Sequence, residues 1–273
     1  MPAPFFADTH THTLHSHDSP QPLDGLCEAA VEKGIAAVTV TDHLDIEFAE
    51  REDVLAPILD SVNDAKRAAE KYAGRLTVLH GVEMGEAVWY PETAKKACAM
   101  TDYDEIVGSV HAVRFEGLSG PFIDVDFASL PDETIRAFLG AYFRDVYETA
   151  VTFDYDVQAH LTVPLRYVVG RAHRTVDLRD YDEIIDAIIE TVIRKDRALE
   201  INTGYADIFD YAPPFSLVKR YYERGGRLVT LASDAHVAKN VGKLFGEAAS
   251  ALKEIGFAEA CYFKSRKPVL YAI

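Results

Sequence analysis

Short apolar, β-rich runs alternate along this chain with longer stretches of helical periodicity, and the alternation is carried through seven times. Phe5 and Phe6 lead the first run into Asp8-Thr9-His10-Thr11-His12; "IAAVTVTDH", "LTVLHGVEMG", "EIVGSVHAV", "FDYDVQAHL", "ALEINTG" and "RLVTLASDAH" supply the next six. Leu23, Leu26, Cys27, Ala30 and Val31 recur at helical spacing and Gly34 stops them. A second helix reads from about Asp53 to Tyr72, and a third follows Pro91. Ser129-x-x-Asp132 resembles a capping box opening a long helix whose stripe is Ile135, Phe138, Leu139, Tyr142, Phe143, Val146 and Tyr147. Further helices are expected over 181–195, after Pro214 and over 241–255, and "KPVLYAI" reads as a terminal strand. Residues 114–130 read as a lid or excursion loop, because Gly117, Gly120 and Pro121 break any period. Repeated βα units imply a parallel sheet with right-handed crossovers. Seven of them without a linker predict one α/β domain over residues 1–273, a closed or nearly closed TIM-like barrel. An open doubly wound sheet is the alternative; no glycine-rich dinucleotide loop follows the first strand to support it.

Composition narrows the partners. With 273 residues, 48% of them hydrophobic, the chain can bury a large core. A net charge of −16 repels nucleic-acid backbones and anionic membranes, so neither is expected as a partner. Cys27, Cys98 and Cys261 are odd in number, scattered and without metal-type spacing, which points to reduced thiols and a cytoplasmic protein. No signal peptide is read in "MPAPFFA", and no apolar run approaches the roughly 18 residues of a membrane span.

The chemistry lies where the β-rich runs end. His10 and His12 are two apart, so a strand turns both to one face, and Asp18 follows six residues later. His43, Glu83, His111, His160 and the pair Asp234 and His236 fall at the ends of the later runs. Each alone could be structural: His43 a turn residue, Glu83 a solvated acid, His160 a core histidine. In a βα barrel, however, the carboxyl ends of the strands converge on one face. Six strand ends each carrying a metal-type ligand therefore predict one shared site. Imidazole suits Zn or Fe and carboxylate adds Mn. Nine donors exceed the needs of one ion and suffice for two or three divalent ions (Zn, Mn or Fe). Three such ions with Asp18, Glu83, Asp234 and one hydroxide would leave a local charge of roughly +2, enough to attract a phosphate. His15 and His17 are expected at the rim or behind the ligands, and His80 and His173 as structural or surface residues.

The motifs "HTHTLHSHD", "TDH", "GVE", "GSVH", "AH" and "SDAH", in this order and spread from about residue 7 to 236, resemble the polymerase-and-histidinol-phosphatase (PHP) superfamily, and "LEINT" before "SDAH" its histidinol-phosphatase branch. The resemblance implies a distorted (β/α)7 barrel with a trinuclear Zn, Mn or Fe centre. It implies that His10, His12, Asp18, His43, Glu83, His111, His160, Asp234 and His236 are the metal ligands and that Glu83 bridges. It implies that Arg166, six residues after His160, holds the substrate phosphate. The reaction expected on this basis is hydrolysis of a small phosphorylated substrate, L-histidinol phosphate of histidine biosynthesis, by a metal-bridging hydroxide. Asp234 or His236 is expected to relay the proton to the leaving group.

This sequence departs from the branch at two points. The residue two after His160 is Thr162 where an aspartate is usual, and "GYADIFD" at 204–210 has no arginine. A PHP-type phosphoesterase acting on another small phosphate, such as a nucleotide or sugar phosphate, is therefore the second reading. An amidohydrolase or a metal-free scaffold fits less well: the Glu83 strand end and the Asp234–His236 pair suit the former poorly, and none of the ligands that a scaffold would have lost is missing.

Overall fold

The computed structural model describes residues 5–46, 53–115 and 118–273. In chain order the strands are β1 (Ala7–Thr11), β2 (Ala37–Val40), β3 (His43–Asp45), β4 (Thr77–Gly85), β5 (Glu105–Ser109), β6 (Ala112–Phe115), β7 (Leu118–Pro121), β8 (Val157–Gln158), β9 (Ala198–Asn202), β10 (Val229–Ala232), β11 (Glu259–Lys264) and β12 (Lys267–Ala272). The helices are α1 (Leu23–Glu32), α2 (Ala56–Lys71), α3 (Pro91–Cys98), α4 (Asp132–Thr152), α5 (Asp182–Arg194), α6 (Phe215–Glu223) and α7 (Phe245–Ile255).

Seven strands, in the order β1-β2-β4-β5-β8-β9-β10, pair in parallel. The ring is drawn together between its last and first strands. Asp234 N donates to His10 O and His12 N to Ala235 O, each at 3.0 Å, around a parallel bridge between Thr11 and Ala235. Asp8 ties the same seam: its carboxylate accepts from Ser233 N (2.9 Å), Ser233 Oγ (2.5 Å) and Gly242 N (2.8 Å). The expected α/β barrel is the observed architecture. The residues of β1, β2, β5, β9 and β10 are buried along their whole length, as strands covered on both faces must be. The covering layer comes from single apolar stripes, such as Ile58, Val62 and Ala65 of α2 and Ile185, Ile188, Ile189 and Val192 of α5.

Several local expectations change. Residues 114–130 are not a structureless loop: β6 and β7 form an antiparallel hairpin, and Phe122 and Phe127 beyond it are core residues packed edge-on against Phe138. The capping box does not form. Pro131 occupies the N-cap of α4, and the Ser129 hydroxyl donates to Asp126 O instead. Proline's fixed φ already suits the entry to a helix. The last helix starts at Phe245, because Leu244 sits at φ 57°, outside the helical region. The terminal strand does not extend the barrel. It pairs antiparallel with β11, "EACYFK", a strand not expected from the sequence.

Candidate metal centre

The expected ligands converge, although not all at strand ends. Glu83 lies inside β4 rather than at its end, and His43 starts the separate short strand β3, registered opposite Glu83. His12 follows β1 directly, while His111, His160, Asp234 and His236 stand two to four residues beyond β5, β8 and β10. Asp234 has φ 52°, in the left-handed region that aspartate tolerates better than most side chains.

Glu83 is the hub. Its Oε2 lies 3.1 Å from His10 Nε2, 3.5 Å from His12 Nε2 and 2.9 Å from His43 Nδ1. Its Oε1 lies 2.9 Å from the Nε2 atoms of both His111 and His160. Asp234 Oδ1 is 3.2 Å from His12 Nε2 and 3.9 Å from His10 Nε2. At the mouth, Asp18 brings Oδ2 to 3.1 Å from His236 Nε2 and Oδ1 to 3.7 Å from His43 Nε2. All nine expected ligands thus fall into one cluster. Four overlapping triads have donor atoms close enough to share an ion: His12, His43 and His236; His10, His12 and Asp234; His10, Glu83 and His160; His43, Glu83 and His111.

The surroundings fix several of these rings. His12 Nδ1 donates to Ser16 Oγ (3.0 Å), which donates in turn to Asp42 Oδ1 (2.8 Å) and accepts from His43 N (3.1 Å). His236 Nδ1 donates to Asp234 O (2.9 Å), and His10 Nδ1 to Glu200 Oε2 (2.7 Å). An acceptor at Nδ1 assigns the proton there and leaves the Nε2 lone pair facing the cluster. Glu86 accepts from His111 N and Ala112 N and so fixes the backbone that carries His111. Buried polar atoms that lack a hydrogen bond elsewhere, among them His10 Nε2, His12 Nε2, His43 Nδ1 and Glu83 Oε2, point into this cluster. Such atoms are costly unless satisfied, and a nitrogen-and-carboxylate set of this kind suits divalent cations.

The charges are divided: against the pull of burial, Glu83 holds His10, His43 and His111 well above the ordinary imidazole value, and their fields act back on it. Burial would push the Glu83 carboxyl up, but the fields of His10, His111 and His43 hold it well below the usual carboxylate range. Burial beside His236 and His43 pushes His12 down to about 3, the neutral form in which imidazole binds metals.

Outside the ligands, the cluster opens into a cavity of about 380 Å³. Arg166 lies on its wall, at the start of a π-type helical turn over Arg166–Arg171, with Nη1 4.0 Å from Asp234 Oδ2. The guanidinium lies over the rings of Tyr205 and Tyr167, and Arg171 also lies over Tyr167, 4.8 Å from its ring centre. Ile123, just beyond the β6–β7 hairpin, forms part of the opposite wall and is 59% exposed. The remaining histidines separate cleanly. His17 reaches the rim and pairs with Asp45 at 3.1 Å. His15 turns away to Asp64, and His80 is held by Asp102 O and Asp104. Sequence reasoning did not single out Glu200, Ser16, Asp45 or Tyr205. Glu200 in "LEINT" could have been found by its place: an acid inside an otherwise apolar strand of a barrel faces inward or is unexplained.

Residues 8–204 match the profile of the PHP domain. Over 268 residues the chain is 27% identical to a Clostridium acetobutylicum protein named "Probable histidinol-phosphatase", covering 97% of this chain and 96% of that one. The histidinol-phosphatase of Lactococcus lactis is 24% identical over 262 residues, 95% of each chain. Among solved structures, the histidinol phosphate phosphatase of L. lactis, crystallised with zinc, L-histidinol and phosphate, superposes with a TM-score of 0.80 at 21% identity, over 97% of this chain and 98% of that one. A putative histidinol phosphatase of Listeria monocytogenes superposes with a TM-score of 0.71 at 18% identity, over 88% and 99%.

Proposed function

The chain belongs to the PHP domain family, and from that premise we propose that it is a metal-dependent phosphomonoesterase that hydrolyses L-histidinol phosphate to L-histidinol and phosphate. The observation that carries the proposal is the gathering of eight further histidine and carboxylate donors around Glu83, with the Arg166 guanidinium beside them at the cavity. The relatives named for this activity match over nearly the whole chain.

The residues that would hold two or three divalent ions are His10, His12, Asp18, His43, Glu83, His111, His160, Asp234 and His236. Zinc accompanies the L. lactis neighbour, and the same donors accept Mn or Fe. Ions held there would acidify a bound water into a nucleophile near neutral pH and neutralise charge on the phosphoryl oxygens. The protein's own part is positioning. Arg166 presents a planar fork that fits two phosphate oxygens. Tyr167, Tyr205 and Phe122 supply apolar wall on which an imidazole ring can pack. Asp234 or His236, both at the cavity, would relay to the leaving alkoxide the proton given up by the attacking water.

One observation favours a second reading. Arg171 lines the cavity beside the same tyrosine ring as Arg166, and a second guanidinium suits a substrate with a further anionic group, as in a nucleotide. Hydrolysis rates over a panel of small phosphomonoesters, with protein loaded in turn with Zn²⁺, Mn²⁺ and Fe²⁺, decide between the readings. Preference for L-histidinol phosphate supports the first, preference for nucleoside monophosphates the second, and hydrolysis of none removes both. Three free, scattered cysteines suit a reducing compartment, and we place the protein in the cytoplasm. Among the described residues no helix is long and apolar enough to cross a membrane.

A further inference from the structure

Beneath the ligand cluster, inside the barrel, lies Glu200 of β9. It is fully buried, as is His10, whose Nδ1 it meets at 2.7 Å through Oε2. Its other oxygen accepts from His160 N (3.1 Å) and from Asn202 Nδ2 (3.0 Å). Asn202 Nδ2 also reaches Asp234 Oδ2 at 3.4 Å, and Asn202 Oδ1 accepts from Gly204 N at 3.0 Å. One carboxylate is therefore bonded directly to the ring of a ligand on β1 and to the backbone of a ligand beyond β8, and through one amide to a ligand beyond β10. A carboxylate fully removed from water is expensive to keep unless its oxygens are satisfied. Here three donors satisfy it, and all three belong to ligand residues or to a residue bonded to one.

We propose that Glu200 is a positioning residue of the metal centre: it fixes the His10 ring with its Nε2 lone pair toward Glu83 and holds His10, His160 and Asp234 in one frame. The proposal rests on the metal-dependent reading above. A carboxylate behind a ligating imidazole sets its tautomer and raises its basicity, and loss of such a partner costs about 10–100-fold in metal affinity or activity. The two oxygens carry separate duties. Oε2 serves the ring of His10, while Oε1 serves the His160 backbone and Asn202. Glu200→Gln keeps the volume and one carbonyl oxygen, and with it an acceptor for His160 N. It then sets an amide donor against His10 Nδ1, which favours the wrong tautomer.

The test is transfer of zinc from the purified, zinc-loaded chain to a chromogenic chelator at fixed pH, with Zn²⁺ as the probe. The expected result is that Glu200→Gln retains the wild-type circular dichroism spectrum but binds at least one ion 10–100-fold more weakly. In a His10→Ala background the same substitution should cost little more, because its effect passes through that ring. Asn202→Ala, which removes one of the two donors to Oε1 and leaves the carboxylate in place, should weaken zinc in the same direction by less, and it carries the test should Glu200→Gln not fold. Wild-type zinc affinity in both single variants, or an equal loss with and without His10, overturns the proposal and leaves the proposed function intact. A wild-type chain that binds no zinc, and in the same assay with Mn²⁺ or Fe²⁺ in place of Zn²⁺ binds neither, overturns both.

Discussion

The guanidinium carbon of Arg166 lies 4.3 Å from the centre of the Tyr205 ring and 4.8 Å from that of Tyr167, so one cation lies over two aromatic rings. Arg166 Nη2 also donates to the Tyr167 hydroxyl at 2.6 Å. Residues 204–210, where the resemblance to the branch implies an arginine, have none, and Tyr205 among them packs on a cation instead of adding one. Arg166→Ala should lower kcat/KM for the phosphorylated substrate tenfold or more with zinc content unchanged. Tyr205→Leu should act in the same direction by a few-fold, as a cation–aromatic contact of about 0.5–2 kcal/mol implies. Steady-state kinetics paired with metal analysis checks both, and unaltered kinetics in Arg166→Ala removes its assignment to the phosphate.

Gly108 of β5 packs directly against the Tyr155 ring. A Cβ there would come within 2.8 Å of the ring. The ring cannot yield easily, because its hydroxyl donates to Gln158 Oε1 at 2.5 Å and the Arg197 guanidinium lies 3.7 Å from its centre. Gly108→Ala should destabilise by about 1–3 kcal/mol, the usual cost of overpacking a core. Thermal or denaturant unfolding of the metal-free chain measures it. Wild-type stability would mean that Tyr155 has room the structure does not show.

The sequence carries the barrel because its signal is repeated: each β-rich run is short, apolar and followed by a stripe of period near four. It carries the candidate donor set because His and Asp stand out near the ends of such runs. What it hides depends on contacts between distant residues. Glu200 and His10 are 190 positions apart, and nothing local to either reveals the 2.7 Å bond between them. The β6–β7 hairpin is hidden for a different reason, since Gly120 at φ 120° and Pro121 look like loop residues and are strand residues here. The start of α7 is misread because periodicity at 241–244 continues through a backbone that Leu244 turns out of the helix.

Asp104 offers a pH test away from the metal ligands. Burial would push its carboxyl up, but bonds from His80 and from Ser265 N outweigh this and hold it below its ordinary value. A depressed carboxylate contributes stability above its unfolded pKa, near 3.9, and loses it as pH falls through the folded value. Asp104→Asn should therefore destabilise the metal-free chain at pH 7 by about 1–3 kcal/mol, the cost of unsatisfied buried partners. The difference from wild type should shrink as pH is lowered toward 3. Urea unfolding at both pH values measures it, and a difference independent of pH would show that the charge of Asp104 contributes nothing.

Stripping metal should cost stability as well as activity. The donor atoms of His10, His12, His43 and Glu83 are buried in one cluster, and an ion bound only by the folded chain stabilises it by mass action. Dialysis against a chelator should abolish hydrolysis and lower Tm by several degrees, and stoichiometric Zn²⁺ should restore both. An unchanged Tm with lost activity would place the essential ion elsewhere.

The last prediction concerns the nucleophile. Among the described residues no serine, threonine or cysteine lines the cavity, and its carboxylates, Asp18, Asp45, Glu83 and Asp234, each face one or more histidine nitrogens. A side chain so engaged is poorly free to attack phosphorus, so water is the expected attacking group and no phosphoenzyme should form. Single turnover in ¹⁸O-labelled water should place one label directly in the product phosphate. Asp234→Asn should lower turnover by several orders of magnitude. It removes a charge beside His12 and Arg166 and a candidate proton donor, so metal content must be measured alongside the rate to separate these roles. Restoration of turnover by excess Zn²⁺ would assign Asp234 to metal retention and leave His236 to deliver the proton, whereas slow turnover at full metal occupancy would assign the proton to Asp234. Label recovered first in an enzyme carboxylate, or a phosphorylated protein trapped by acid quench, would rule out direct attack by water.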